Sequence, residues 1–155
     1  MNADGTNRVR LTTMGGGAFT PSWSPDGRRI AFSTGKDLYV IDVDGANLSA
    51  LTNDWQFDRD PAWSPDGSRI AFVRGAGYGF GDVDSRLYLV NPDGTNLKWF
   101  NSPSNPWEPA WTPDGRWITV TRKGGGGWEL ATIRVADGGY WGRPFPGTAS
   151  SWGRP

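Results

Sequence analysis

A twelve-residue box occurs three times in the sequence, and this repetition limits the possible folds more than any other feature. The box reads P-S-W-S-P-D-G-R-R-I-A-F at 21–32, P-A-W-S-P-D-G-S-R-I-A-F at 61–72 and P-A-W-T-P-D-G-R-W-I-T-V at 109–120. The copies therefore begin 40 and 48 residues apart. Self-similarity at a period of about 40 residues is typical of stacked supersecondary units.

Each repeat predicts four short strands, which we label a to d. A proline opens strand a, and Pro-Asp-Gly then reverses the chain into strand b. Strand c is rich in apolar residues, as in Leu87–Val90, and an Asp-Gly-x-Asn hairpin leads from it into strand d. Because no stretch has helical periodicity, we predict an all-β propeller with three four-stranded blades. The blades are expected at 14–52, 53–100 and 101–155, after an N-terminal strand at 1–13.

The boxes Trp23–Gly27, Trp63–Gly67 and Trp111–Gly115 resemble the WD40-like repeat called PD40, found in the TolB-like β-propeller family. The resemblance covers nearly the whole chain. It implies a propeller, a ring of about six blades and an extracytoplasmic setting. Similar blades also form the non-catalytic domains of prolyl oligopeptidases and tricorn-type proteases, so the resemblance is specific for fold and weak for function.

Composition narrows the functional classes. Sixteen basic and sixteen acidic residues leave no net charge, which argues against a nucleic-acid partner. The absence of Cys and His removes thiolate and imidazole metal sites and every Ser-His or Cys-His mechanism. No apolar stretch approaches the roughly 20 residues of a membrane span, and no signal peptide opens the chain. We therefore expect neither catalysis nor membrane insertion.

The two ends of the sequence point to assembly. Residues 3–7 repeat the turn before strand d, so the chain starts in a strand whose blade is absent. By contrast, 139–155 is rich in Gly and Pro and predicts a poor outer strand. Closed propellers need about four blades or more, so either the chain is part of a longer propeller or copies complete each other. We expect a homo-oligomer, as a six-blade dimer or a filament, joined by an assembly strand consisting of Val9, Arg10, Leu11 and Thr12.

Binding residues are expected in the connections that differ between repeats. The b-to-c and d-to-a connections lie on one face of a propeller, and all the variation in length falls there. Six large aromatic residues are candidates for contact with a protein partner or a sugar, with ordinary loop anchoring as the alternative. They are Trp55, Phe57, Tyr78, Phe80, Trp107 and Trp128.

Other repeated motifs have structural interpretations. We expect the strand-a tryptophans to pack between blades, and the aspartate of each Pro-Asp-Gly to serve its turn. The segment Asp42–Asn47 resembles the start of an EF-hand calcium loop, but position 12 of such a loop, which needs an acidic ligand, is Asn53. The glycine-rich stretches 75–81 and 124–127 lead into strands rather than helices, so they predict hairpins instead of phosphate sites.

Thr20, Asp60 and Glu108 precede the strand-a prolines and should surround the mouth of the central channel. Strand a is the innermost strand of a blade, so carboxylates would converge there when copies assemble. We expect a hydrated acidic rim, with a calcium ion held by Asp60 and Glu108 as the alternative.

These observations together predict a non-enzymatic propeller scaffold that binds protein or assembles through strand exchange. Two alternatives stay open. One is a carbohydrate-binding propeller that uses its exposed aromatic residues, and the other is the accessory propeller of a larger peptidase-like protein.

Overall fold

The computed structural model describes residues 4–77, 84–100, 102–124 and 127–141. Throughout these residues the protein is all-β, and three antiparallel sheets of four strands follow one another along the chain. Each sheet is a simple meander, so the prediction of four-stranded propeller blades is confirmed. Among the described residues, no helix is long and apolar enough to cross a lipid bilayer.

Strands a to d of each blade are consecutive strands of its sheet. The first sheet consists of β1 (Phe19–Trp23), β2 (Arg29–Ser33), β3 (Leu38–Asp42) and β4 (Ser49–Ala50). The second consists of β5 (Phe57–Trp63), β6 (Ile70–Gly75), β7 (Arg86–Val90) and β8 (Lys98–Phe100). The third consists of β9 (Pro106–Trp111), β10 (Trp117–Gly124), β11 (Gly127–Arg134) and β12 (Tyr140–Trp141).

The Pro-Asp-Gly turns form as the sequence predicts. In the first blade, the Asp26 carboxylate accepts hydrogen bonds from the Ser24 hydroxyl (2.6 Å) and the Arg28 backbone N–H (3.1 Å). Gly27 takes a φ of 68°, which glycine adopts without strain. The second and third blades repeat this arrangement around Asp66 and Asp114. These aspartates belong to the turns.

The sheets stack face to face. We call the face of each sheet that carries the strand-a tryptophan the front face, and the opposite one the back face. Side chains alternate along each strand, so both faces recur in all three blades. The front faces carry Trp23, Ile30, Phe32 and Ile41, then Trp63, Ile70, Phe72 and Val90, then Trp111, Ile118, Val120 and Ile133. The back faces carry Ala31, Leu38 and Val40, then Ala71, Leu87 and Leu89, then Thr119, Leu130 and Thr132.

Two apolar cores lie between the sheets. In each, the back face of one sheet packs on the front face of the next. The first core joins the first and second sheets and contains Phe72, which is fully buried. The second joins the second and third sheets around Leu87 and Ile118. Burial of apolar side chains in these two junctions is the main source of stability.

Residues 9–12, the expected assembly strand, pair with no strand among the described residues, so their pairing with another copy stays a prediction. The start of the glycine- and proline-rich tail does pair, since Tyr140 and Trp141 form β12 on β11. The expected hairpin at 124–127 forms, but Trp128 lies on β11 and not in the connection, because β10 and β11 continue to Gly124 and Gly127.

Candidate interaction surfaces

The three residues of the predicted channel mouth share one unusual backbone conformation. Thr20, Asp60 and Glu108 have φ values of 47°, 54° and 47°, in the left-handed region that side chains other than glycine rarely adopt. At each of them the register between strands a and b shifts. Each strand a therefore contains a bulge, which bends the strand and redirects the side chain at that position.

The bulges bring Asp60 and Glu108 together. Glu108 acts on the Asp60 carboxylate both through its backbone N–H, which lowers the pKa of Asp60, and through its charge, which raises it. The Asp60 side chain is 11% exposed, and its Oδ2 lies 3.7 Å from Arg59 Nε. Burial raises the pKa of Asp60, Arg59 opposes the rise, and the nearby Glu108 charge adds to it. Thr20 and Glu108 are exposed, so one buried and one exposed carboxyl group meet at this junction.

The described residues do not assemble a metal centre. Across the described ranges, no three acidic side chains come close enough to share a metal ion. The expected calcium ligands, Asp60 and Glu108, supply only two carboxylates. In the Asp42–Asn47 segment, the Asn47 side-chain amide donates to Asp42 (2.7 Å) and the Ala46 N–H donates to Asp44 (2.9 Å), as in an ordinary hairpin turn.

The structure places the predicted aromatic binding residues on different elements. Trp55 lies in the connection before β5 and is 72% exposed. Phe57 begins β5, and Trp107 lies within β9 with the Arg59 guanidinium 4.3 Å from its ring centre. Trp128 lies on β11 and is 57% exposed. Tyr78 and Phe80 are outside the described residues.

The strand-a tryptophans follow the prediction at two of three positions. Trp63 is 7% exposed, and Trp111 is half-buried, with its indole N–H donating to the Ala62 carbonyl (3.0 Å). Both pack on the preceding sheet. Trp23 is 60% exposed, so the expectation of a buried residue is wrong there. The reason is that no sheet precedes the first one in the described chain.

A buried ion pair in the second blade is absent from the sequence predictions. Arg74 on β6 donates two hydrogen bonds of 2.7 Å to Asp58 on β5, whose carboxylate is fully buried. Burial raises the pKa of Asp58, while hydrogen bonds from Arg74 and Thr52 oppose the rise. Asp54 contacts the outer side of Arg74 at 3.0 Å. This arrangement holds strands a and b together.

The N-terminal segment occupies the place of an outer strand from a preceding blade. In the repeat alignment, Leu11 corresponds to Leu51 at the end of strand d. A Cβ atom on Gly94 of the second blade would lie 3.4 Å from the Leu51 carbonyl oxygen. One on Gly45 of the first blade would lie 3.7 Å from the Leu11 carbonyl oxygen. Leu11 therefore lies against the first blade as Leu51 lies against the second.

A groove of about 420 Å³ lies between this segment and the front face of the first sheet. Leu11, Thr12 and Met14 line one side, and Ile30, Phe32 and Ile41 line the other. Val9 is 70% exposed, and residues 8–12 pair with no strand in the part of the chain that the structure describes. The segment is thus held near the position of a strand but lacks a strand beside it.

Comparison with known proteins agrees with this geometry. The family model of the TolB β-propeller domain matches residues 1–78, which is half of the chain. The chain belongs to this family. Compared by sequence with curated proteins, it has no significant match.

Solved structures of the TolB family have the same arrangement of sheets. A protein described as TolB from Agrobacterium tumefaciens is 19% identical, with a TM-score of 0.72 over 84% of this chain and 50% of that one. TolB from Acinetobacter baumannii is 21% identical, with a TM-score of 0.70 over 89% of this chain and 35% of that one. The chain thus spans half or less of the length of these two relatives.

Propellers of enzymes are also similar to this member of the TolB family. Dipeptidyl peptidase 4 from Porphyromonas gingivalis is 17% identical, with a TM-score of 0.60 over 84% of this chain and 26% of that one. At such low identity the likeness establishes the fold alone.

Proposed function

We propose that this chain is a non-enzymatic propeller scaffold that binds protein and assembles with copies of itself by exchanging its N-terminal segment. The position of Leu11 beside Gly45, equivalent to that of Leu51 beside Gly94, is the observation that carries the proposal. A segment already held where an outer strand belongs loses little further conformational freedom when another strand pairs with it.

The repeats supply the register of the exchanged strand. In the first blade, the Leu51 N–H donates to the Leu38 carbonyl (2.8 Å), and the Leu38 N–H donates to the Thr52 hydroxyl (2.9 Å). Leu130 on β11 corresponds to Leu38. In an exchanged blade, Leu11 would therefore donate to the Leu130 carbonyl of a second copy, and Thr12 would accept from its N–H.

The exchange has a competitor within the chain. β12 pairs with β11 through Thr132 and Ile133, and these pairs are equivalent to those expected for residues 8 and 9 of a second copy. Within the described residues, β12 pairs with β11 at two positions. Exchange would release these two pairs and place residues 8–12 of a second copy along β11 instead, with ladder hydrogen bonds that extend to Leu11.

Solution mass tests the proposal. Deleting residues 1–13 should convert an assembled protein to a monomer, as measured by light scattering after size exclusion. Leu11→Pro should do the same because it removes the N–H that the ladder needs. Arg10→Pro is the matched control, since Arg10 corresponds to Ala50, whose N–H points away from β3 by the alternation of an antiparallel ladder. An unchanged mass in both the deletion and Leu11→Pro would refute strand exchange.

A carbohydrate-binding role is a second candidate. The observation that favours it is the exposure of Trp55 (72%) and Trp128 (57%), because indole rings stack on the apolar faces of sugars. A cell-wall polysaccharide should then quench tryptophan fluorescence, and Trp55→Ala should remove part of the quenching. If the titration leaves the emission of the wild-type chain unchanged, this candidate is wrong.

Two further parts of the proposal rest on family and composition. A non-catalytic role is consistent with the lack of Cys and His, which removes the commonest nucleophile and base pairs. Membership in the TolB propeller family supports a location outside the cytoplasm. Fractionation of the native cells with an antibody against the chain would test the location, and recovery only in the cytoplasm would contradict it.

A further inference from the structure

Within the described residues, two sheet faces have no neighbouring sheet. One is the front face of the first sheet, and the other is the back face of the third. Inside the chain, a back face packs on a front face twice, with an apolar core at each junction. The two end faces are therefore equivalent in position to surfaces that already bind each other within this molecule.

Exposure at equivalent positions identifies the residues that lack a partner. On the front faces, Trp23 is 60% exposed, whereas Trp63 is 7% exposed. On the back faces, Leu130 is 61% exposed, whereas Leu38 and Leu87 are fully buried. At Trp23 and at Leu130, the described residues place no neighbouring sheet against the face. On the first front face, Phe32 and Ile41 are nonetheless buried, at 3% and 2% exposed, beside the N-terminal segment, so Trp23 is the residue left uncovered there.

Side chains near the Pro-Asp-Gly turns complete the match. At the first junction, the Arg29 guanidinium lies 4.9 Å from the centre of the Trp63 ring, and at the second, Arg69 lies 5.5 Å from Trp111. The equivalent position on the third sheet is Trp117. The guanidinium of Arg134, its cross-strand partner, lies 5.5 Å from the Trp117 ring. On the back face of the third sheet, the Trp117 ring and the Arg134 guanidinium could thus both contact the Trp23 ring of a second copy.

Polar groups also correspond. Ser33 on the first back face donates a hydrogen bond of 2.7 Å to the Asp58 carbonyl across the first junction. Thr121 is the equivalent residue on the third sheet, and Ala18 is equivalent to Asp58. The Thr121 hydroxyl could therefore reach the Ala18 carbonyl of a second copy. Thr119 and Thr132, at the positions of Ala71 and Leu89, keep small or β-branched shapes on this face.

We propose that the two end faces bind each other between copies of this chain, head to tail, with Trp23 of one copy stacked against Trp117 and Arg134 of the next. A second copy is the fitting occupant because the chain supplies both halves of a junction that it forms twice internally. The inference rests on the proposed self-assembly but not on strand exchange, since the contacts are between sheet faces and not between strand edges.

The first experiment measures self-association by sedimentation over a range of concentrations. Trp23→Ala and Leu130→Asp, which alter opposite end faces, should each raise the dissociation constant at least tenfold. Trp117→Arg should retain association, because it recreates the arginine–tryptophan pair of the internal junctions. Trp99→Ala and Leu97→Asp are matched controls, since both residues are exposed on the second blade, away from the ends. Circular dichroism checks that each variant is folded.

The second experiment uses the absence of cysteine from the sequence. A mixture of Trp23→Cys and Trp117→Cys chains, treated with a short bismaleimide, should give a cross-linked dimer. Trp23→Cys mixed with Trp99→Cys should not. Because each chain carries one thiol, a cross-link between the two variants must join separate molecules.

The outcomes separate this inference from strand exchange. If Trp23→Ala and Leu130→Asp dissociate the assembly while deletion of residues 1–13 does not, the end faces bind and strand exchange is wrong. If only the deletion dissociates it, strand exchange stands and this inference is overturned. A wild-type chain that is monomeric at every concentration, together with no cross-linked dimer from the mixture of Trp23→Cys and Trp117→Cys chains, overturns both.

Discussion

Removing the Arg74 guanidinium should destabilise the protein far more than removing its counterpart in the third blade. Arg74 and Asp58 are cross-strand partners, with the Arg74 side chain 6% exposed and the Asp58 carboxylate fully buried. Arg74→Met leaves that carboxylate buried without a cation, which costs about 3–5 kcal/mol of unfolding free energy. For a chain of this size, the melting temperature should fall by roughly 6–20 °C.

The matched control is Arg122→Met. Arg122 occupies the equivalent position in the third blade and binds Glu129, with their side chains 27% and 31% exposed. Water can solvate the remaining carboxylate there, so we expect a loss below about 1 kcal/mol. The double variant Asp58→Leu, Arg74→Met should recover most of the loss, since no buried charge is left unpaired.

Urea denaturation, followed by tryptophan fluorescence, gives the unfolding free energies of these variants. Equal losses for Arg74→Met and Arg122→Met would refute the argument that burial sets the cost. A double variant as unstable as Arg74→Met would refute the argument that the uncompensated Asp58 charge is the cause.

Three further predictions concern titration and the chain end. Hydrogen bonds from Ser64 and Ser68 lower the pKa of Asp66 to about 2. The stability that Asp66 contributes is therefore present above its unfolded pKa of about 3.8 and is lost as pH falls towards 2. Asp66→Asn should lower the melting temperature at pH 7 and flatten the dependence of the melting temperature on pH between pH 4 and 2. Burial raises the pKa of Asp60, so folding favours the protonated form of this residue. Asp60→Asn should therefore raise the melting temperature at pH 7, and this increase should disappear below pH 3.8, the ordinary pKa of this carboxyl group in the unfolded chain. A lower melting temperature at pH 7 would contradict this argument. Removing residues 139–155 deletes β12, which pairs with the edge of β11 that an exchanged strand would use, so self-association should become stronger. Weaker association would show that β12 does not compete for this edge.

The repeats made the fold predictable from the sequence, but they did not predict the ion pair between Asp58 and Arg74. The turn after Trp63 sets a register in which Trp63 faces Ile70 and Ala62 faces Ala71. Continued without interruption, that register would place Arg59 opposite Arg74, which pairs two cations. The bulge at Asp60 shifts strand a by one residue, so that Asp58 faces Arg74 instead. The one extra residue in the bulge thus decides which side chain faces Arg74, and no local sequence pattern predicts the position of the bulge.

Candidate sites were predicted less well for a related reason. Asp60 and Glu108 both precede a strand-a proline, and the structure places them close enough for the charge of Glu108 to act on Asp60. That they line a channel mouth stays a prediction. The sequence placed Trp128 in a loop because the glycines at 124–127 hide the continuation of two strands into a tight hairpin. The sequence also predicted Trp23 to be a core residue, because the repeat motif is the same in all three blades and does not show which blade has no sheet packed on its front face.

The back face of the third sheet has the composition expected of a surface that meets both water and protein. Where the second sheet buries Ala71, Val73 and Leu89, the third carries three threonines, at 119, 121 and 132. Threonine has the branched shape of valine and a hydroxyl group that either water or a carbonyl can satisfy. Exposing such a face costs less than exposing an apolar one, and covering it yields less. The proposed junction between copies should therefore be weaker than the two internal junctions, and the assembly should dissociate on dilution before its blades unfold.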